Sequence, residues 1–124
     1  MSRILSVSYD ETLLLTRELM LKGAGHNVHS CLGYHDSITD CAAGPFDFAI
    51  IGHSIPKQDK LDIIVAFRRD NPAALVVALT RAGESRLNEV DFYVTPGDPE
   101  ELIRALDRIV SPGTDRDDTL RRIK

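Results

Sequence analysis

FDFAIIGHSIP, at residues 46–56, is the stretch of this sequence that decides its fold. Its four consecutive apolar residues, 48–51, are typical of a strand that is buried on both faces. Gly52 ends the apolar run, and a polar loop leads from there to Pro56. A strand buried on both faces needs helices on both sides of its sheet. The stretch therefore predicts the central strand of a parallel α/β sheet.

Outward from this strand, short apolar runs alternate with helical patterns. We predict four further strands, at residues 4–8, 27–32, 74–80 and 90–94. The predicted helices cover residues 11–22, a short stretch capped by Asp36 or Ser37, residues 60–70, and a last helix capped by Asp98. Five parallel strands in 124 residues indicate a flavodoxin-like three-layer sandwich with the strand order 2-1-3-4-5.

The spacing of apolar residues predicts which face of each helix is buried. For the first helix, Leu15 and Leu19 are spaced one turn apart, and we expect them to face the sheet together with Leu14 and Leu21. In the second helix the predicted inward face consists of Ile38, Cys41 and Ala42, and in the third of Ile63, Ile64 and Phe67.

Composition narrows the classes of function. The chain is 43% hydrophobic and 27% charged, with a net charge of −4, which argues against a nucleic-acid binder. No apolar run approaches the roughly 20 residues that span a bilayer, and the N-terminus does not have the form of a signal peptide. We therefore expect a cytoplasmic protein, with Cys31 and Cys41 as buried, reduced thiols. The four histidines are expected on the surface.

In the predicted topology, ligands bind beyond the carboxyl ends of the strands. The residues that follow the strands are therefore the candidate site. They are Ser8, Tyr9, Asp10, Gly52, His53, Ser54, Thr80 and Thr95.

Over about residues 3–110 the sequence resembles the receiver domains of bacterial response regulators. The residues that carry the resemblance are Gly25, Val28, Cys31, Asp47, Ile50, Ile51, Pro56, Asp59, Leu61, Asp62, Leu79, Thr80, Asp91, Phe92, Pro96 and the run from Asp98 to Leu102. The resemblance implies a receiver-like domain at residues 1–110 and a tail or linker remnant at 111–124.

The resemblance also implies what each strand-end position does in a receiver. An acidic pair after strand 1 holds Mg²⁺, an aspartate after strand 3 accepts the phosphoryl group, a hydroxyl follows strand 4 and a lysine follows strand 5. In this sequence the pair falls on Ser8 and Tyr9, the acceptor on Gly52, the hydroxyl on Thr80 and the lysine on Thr95.

Two further positions belong to this comparison. Asp10 lies one place beyond the acidic pair, and Phe92 matches the aromatic residue that switches rotamer in receivers. Because the acceptor, the pair and the lysine are all replaced, we expect a degenerate receiver with no enzyme activity, no metal and no cofactor.

The segment between strands 4 and 5 is short. Receivers place a full fourth helix there, but Thr80 and Thr95 are separated by only 15 positions, and Leu87 is the one strong apolar anchor between residues 82 and 89. We therefore expect the fourth helix of the receiver pattern to be shortened or missing.

The sequence leaves two functions open. The first is an atypical receiver domain of two-component signalling that works as a phosphorylation-independent protein-interaction module. Its expected partner is a signalling kinase or an output protein, and homodimerisation stays open. The alternative is a small-molecule or anion sensor that uses a neutral pocket around Gly52. A nucleotide or flavin enzyme is disfavoured, because no glycine-rich loop follows strand 1.

Overall fold

A computed structural model describes residues 2–80, 89–94 and 99–110 of the chain. Its strands are β1 (Arg3–Ser8), β2 (Asn27–Leu32), β3 (Phe48–Ile51), β4 (Leu75–Leu79) and β5 (Phe92–Val94). Its helices are α1 (Glu11–Gly23), α2 (Tyr34–Asp40), α3 (Lys57–Asp70) and α4 (Pro99–Val110), with a 3-10 turn at Cys41–Ala43. The strands form one parallel sheet in the order β2-β1-β3-β4-β5, which confirms the predicted fold class.

Strand β3 lies in the middle of the sheet between β1 and β4. All four of its residues are buried, and they divide between two apolar clusters on opposite faces of the sheet. The cluster on one face includes Ala49, Ile51, Ile63, Ile64 and Phe67, so α3 covers that face. The cluster on the other face includes Phe48, Ile50, Leu21, Leu102 and Leu106, so α1 and α4 cover it. This arrangement is the predicted three-layer sandwich.

The entrance to β3 is fixed by the buried side chain of Asn71. Its Oδ1 atom accepts a hydrogen bond of 2.9 Å from the Phe46 backbone N–H. Its Nδ2 atom donates to the carbonyl oxygens of Cys41, at 3.0 Å, and Phe67, at 3.2 Å. One side chain therefore joins the end of α3, the 3-10 turn and the start of β3.

The buried face of α1 differs from the prediction. Leu15 and Leu19 are 55% and 64% exposed, whereas Leu14, Arg17 and Leu21 are buried. Apolar residues occur all around this helix, so their spacing does not single out one face. The structure turns the face with Leu14, Arg17 and Leu21 toward the sheet, and this brings a charged residue into the interior.

The starts of α2 and α3 also differ from the prediction. Gly33, with φ of 90°, reverses the chain directly after β2, so α2 begins at Tyr34, and neither Asp36 nor Ser37 caps it. Helix α3 begins at Lys57, directly after Pro56. Of the predicted inward residues of α2 and its extension, Cys41 is buried and Ile38 partly buried, but Ala42 is exposed.

Three predictions fall outside the described residues: the short segment at 81–88 in place of a fourth receiver helix, the residues 95–98 before α4, and the tail at 111–124. Within the described part of the chain, no helix has the length and apolar character that crossing a membrane requires.

The orientation of α1 can be tested with two leucines on the same helix. We expect Leu21→Ala to lower the free energy of unfolding by about 2–5 kcal/mol, because a fully buried side chain is removed. Leu19→Ala should change it by no more than about 0.5 kcal/mol, because that side chain is mostly exposed. Urea denaturation measures both. Equal losses for the two variants would contradict this orientation.

Candidate functional site

The carboxyl ends of β1, β3 and β4 bring Ser8, Gly52 and Thr80 to one edge of the sheet. The Gly52 backbone N–H donates a 2.9 Å hydrogen bond to the Val7 carbonyl oxygen, which extends the pairing of β3 with β1 by one residue. This hydrogen bond holds Gly52 beside the end of β1. The structure therefore brings three of the predicted strand-end residues, Ser8, Gly52 and Thr80, to this edge.

Ser8 and Asp10 form a local turn that starts α1. The fully buried Ser8 hydroxyl accepts from the Asp10 backbone N–H at 3.0 Å and donates to the Asp10 carbonyl oxygen at 3.1 Å. The Asp10 carboxylate accepts from the Leu13 backbone N–H at 3.1 Å and so acts as the N-cap. Both side chains are thus engaged in starting the helix.

Tyr9 points to the other side of β1 and contacts α3. Its hydroxyl donates a 2.8 Å hydrogen bond to the Asp59 carboxylate, and its ring packs against the cluster under α3. Burial, followed by the hydrogen bond and charge of Asp59, raises the pKa of Tyr9 above its ordinary value. The hydroxyl is therefore a protonated donor to Asp59 at neutral pH.

The space that a side chain at position 52 would enter is bounded by the guanidinium of Arg17. A Cβ atom added to Gly52 would lie 3.3 Å from Arg17 Nη1 and 3.2 Å from the Val7 carbonyl oxygen. Distances of this size are tighter than ordinary van der Waals contact. A side chain here would therefore require small shifts of both the guanidinium and the Val7 carbonyl.

Arg17 is 7% exposed, and its Nη1 atom has no hydrogen-bond partner among the described residues. Burial lowers the pKa of the guanidinium, and the charge of Asp10 partly opposes that shift. Ser6 lies on the same face of β1 as Ser8, and its buried Oγ atom also lacks a hydrogen-bond partner there. The site therefore contains a buried cation with unused donor capacity, so the prediction of a neutral pocket is wrong.

Thr80 and Phe92 lie at the β4–β5 side of the site. Thr80 is half-buried, and its backbone N–H donates to the Val94 carbonyl oxygen at 3.0 Å. Phe92 is partly buried and packs against the apolar cluster shared by α1 and α4. Thr95, predicted at the lysine position, lies outside the described residues.

The predicted states of the cysteines are confirmed, and those of the histidines only in part. Cys31 and Cys41 are both buried free thiols. His35 is exposed, and His29 and His53 are half-buried. His26 is buried, with its Nδ1 atom 3.3 Å from the Ser2 backbone nitrogen, so the prediction of a surface position is wrong for this residue.

Arg17 is the functional candidate that the sequence reasoning missed. A single arginine among leucines on an amphipathic helix is normally assigned to the solvent face. The available signal was Gly52: a strand end without a side chain leaves space in the interior, and a long side chain from the overlying helix can fill it. The two residues are 35 positions apart, so only the fold brings them together.

Comparison with solved structures finds the same fold in response regulators. A two-component response regulator from Clostridium difficile matches with a TM-score of 0.77 and 17% identity, over 90% of this chain and 98% of its own. The Thermotoga maritima response regulator TrrA, solved with Mg²⁺ and BeF, matches with a TM-score of 0.75 and 19% identity, over 89% of this chain and 100% of its own. TrrA in complex with the histidine kinase ThkA matches with a TM-score of 0.73 and 20% identity, over 90% of this chain and 100% of its own.

The fold of this chain is thus that of CheY-like receiver domains, as the sequence resemblance implied. No family model matches the chain, and no curated protein matches it.

The placement of Arg17 beside position 52 predicts how acidic and neutral side chains differ there. We expect Gly52→Asp to be about 1.5–3 kcal/mol more stable than Gly52→Asn, because the carboxylate can accept hydrogen bonds from the buried guanidinium. In an Arg17→Met background the order should reverse, since the buried carboxylate then has no partner. Urea denaturation of the four proteins gives the coupling energy. An Asp–Asn difference that Arg17→Met does not change would contradict the placement.

Proposed function

We propose that this chain is a receiver-type domain of two-component signalling that acts in the cytoplasm without phosphorylation, as a protein-interaction module. The observation that carries the proposal is the contact between Gly52 and Arg17. A buried cation borders the space in which a receiver would place its phospho-acceptor carboxylate.

The chemistry of the other strand ends supports this proposal. Mg²⁺ prefers carboxylate and other oxygen ligands in octahedral geometry. Among the described strand-end residues Asp10 is the one carboxylate, and it caps α1. The positive charge of Arg17 opposes a second cation in the same low-dielectric region. Among the described strand-end residues, the nucleophile and the metal ligands of phosphoryl transfer are therefore not present together, which supports a role without phosphorylation.

A partner surface is offered by the outer face of α1. Leu15 and Leu19 are exposed and one turn apart, so they form an apolar pair on a helix that is otherwise polar on this side. TrrA, which has the same fold, has been solved in complex with a histidine kinase. We assign the outer face of α1 to a partner of that class, a signalling kinase, with an output protein or a second copy as the other occupants to be tested.

The proposal predicts binding that does not respond to a phosphoryl mimic. We expect a purified histidine-kinase domain from the same organism to bind the chain with the same affinity with and without Mg²⁺ and BeF₃⁻. Leu15→Glu/Leu19→Glu should weaken that binding at least tenfold, because it places charges on the apolar pair. Isothermal titration calorimetry against a panel of such domains, against an output protein and against the chain itself makes the measurement.

The matched control is Val65→Glu, which alters an exposed apolar residue on α3 in the opposite layer and should leave binding unchanged. A saturable, Mg²⁺-dependent shift of the chain's NMR spectrum on adding BeF₃⁻ would refute the absence of receiver chemistry. Failure of every partner to bind would refute the interaction role.

A second candidate function is an anion sensor, and the unpartnered guanidinium of Arg17 is the observation that favours it. Two of the hydroxyls expected to line the site are already engaged, since Ser8 bonds the backbone of Asp10 and Tyr9 bonds Asp59. The donor that remains is Arg17 Nη1, which suits a phosphate or carboxylate group.

Inorganic phosphate at constant ionic strength tests this second candidate. We expect saturable NMR shifts at Ser8 and Gly52 that disappear in Arg17→Met, because the buried guanidinium beside Gly52 is removed. Arg69→Met, at an exposed arginine, should leave the shifts intact. Shifts that persist in Arg17→Met, or none in the unmodified chain, would rule out this function.

A further inference from the structure

Three side chains of types that bind metal ions lie close together beside β2, the outermost strand of the sheet. None of them belongs to the strand-end site. His29 and Cys31 are two residues apart on β2, the edge strand, and therefore point to the same face. Asp40 is the last residue of α2, the helix that follows β2. Within the described residues, this is the one group of three or more such side chains whose ligand atoms are close enough to share an ion.

One carboxylate oxygen links the three residues. Asp40 Oδ2 lies 2.9 Å from His29 Nε2 and 3.6 Å from Cys31 Sγ. All three ligand atoms lie within 4.8 Å of one another. Zn²⁺ bonds of about 2.0–2.3 Å in a tetrahedron place neighbouring ligand atoms roughly 3.3–3.8 Å apart. Small side-chain adjustments therefore suffice to convert the observed arrangement into a coordination shell.

The surroundings suit an ion that is bound by one buried ligand and is open to solvent on the opposite side. Cys31 is 1% exposed, whereas the side chains of His29 and Asp40 are 40% and 34% exposed. The ring of the buried Phe46 packs edge-on against the imidazole, with the centroids 5.9 Å apart at 67°, and so orients it. An ion can thus enter along the exposed side, and water can complete its shell.

The donor set selects the class of metal. A thiolate, an imidazole and a carboxylate together match Zn²⁺ and related first-row ions, whereas Mg²⁺ and Ca²⁺ prefer sets made of oxygen alone. Without an ion, His29 and Cys31 are each hydrogen-bonded to Asp40. Binding of the ion releases the Cys31 thiol proton, and any proton shared by His29 and Asp40, to solvent.

We propose that His29 Nε2, Cys31 Sγ and Asp40 Oδ2 form a Zn²⁺ site with water as the fourth ligand. The ion would connect the edge strand β2 to the end of α2 and stabilise that side of the domain by binding the folded state. This site is independent of the function proposed above, because it shares no residue with the strand-end site or with the outer face of α1.

Cobalt titration of the full chain tests the site, because Co²⁺ takes the tetrahedral positions of Zn²⁺ and, unlike Zn²⁺, has visible absorption. With the thiols kept reduced, we expect one Co²⁺ per chain and a thiolate-to-cobalt charge-transfer band that Zn²⁺ removes. Cys31→Ser should abolish the band. His29→Gln and Asp40→Asn should each weaken binding by more than about tenfold, since loss of an outer partner alone costs 10–100-fold.

The control variant is Cys41→Ser, which changes the other buried thiol of the chain and should keep the band. Circular dichroism establishes whether each variant folds. If Cys31→Ser does not fold, the Co²⁺ affinity of His29→Gln tests the site instead, because the His29 side chain is half-exposed and its replacement is easier to accommodate. No Co²⁺ binding, binding without a thiolate band, or a Co²⁺ affinity that His29→Gln leaves unchanged would each overturn the proposal.

Discussion

The burial of β3 on both faces is the constraint on which the rest of the structure depends. Its four residues, Phe48 to Ile51, contact one apolar cluster on each side, so neither face of the sheet can be left without helices. The same pairing continues through the Gly52 N–H to the Val7 carbonyl oxygen. This hydrogen bond holds the end of β3 beside the end of β1. The packing of the core therefore fixes the positions of the residues in the candidate site.

The core also explains how an arginine can occupy the interior. Removing a guanidinium from water costs several kcal/mol when no partner replaces the lost hydration. Leu14 and Leu21 lie on the same buried face of α1, and their apolar contacts offset this cost. Burial of the aliphatic part of Arg17 offsets it further. The absence of a side chain at Gly52 provides the space. The burial of this one charge therefore depends on α1, on the end of β1 and on the residue that follows β3.

The sequence predicted those features that a local pattern determines, and it failed where the outcome depends on contacts between distant residues. The run 48–51 is apolar at every position, so the central strand followed from it, and the sheet order followed from the alternation of five strands with helices. Helix α1 carries leucines on several faces, and the choice between Leu15 and Leu14 was made by packing against β1 and β3. His29 and Asp40 likewise meet only because Gly33 turns α2 back along β2. Ser8, Gly52 and Thr80 lie at the strand ends where the sequence placed them, but the sequence did not indicate the charge that Arg17 supplies.

The contact between Gly52 and Arg17 bears on the evolutionary history of the proposed site. Every glycine codon is a single base from a codon for aspartate or glutamate, so a carboxylate at position 52 is always one mutation away. Any carboxylate that arises there meets a guanidinium within the same small space, and a neutralised carboxylate is a weak nucleophile. Phosphoryl chemistry at this site would need acids after β1 and the replacement of Arg17, in addition to a carboxylate at position 52. The proposed site is therefore several substitutions away from that chemistry, although its carboxylate is only one mutation away.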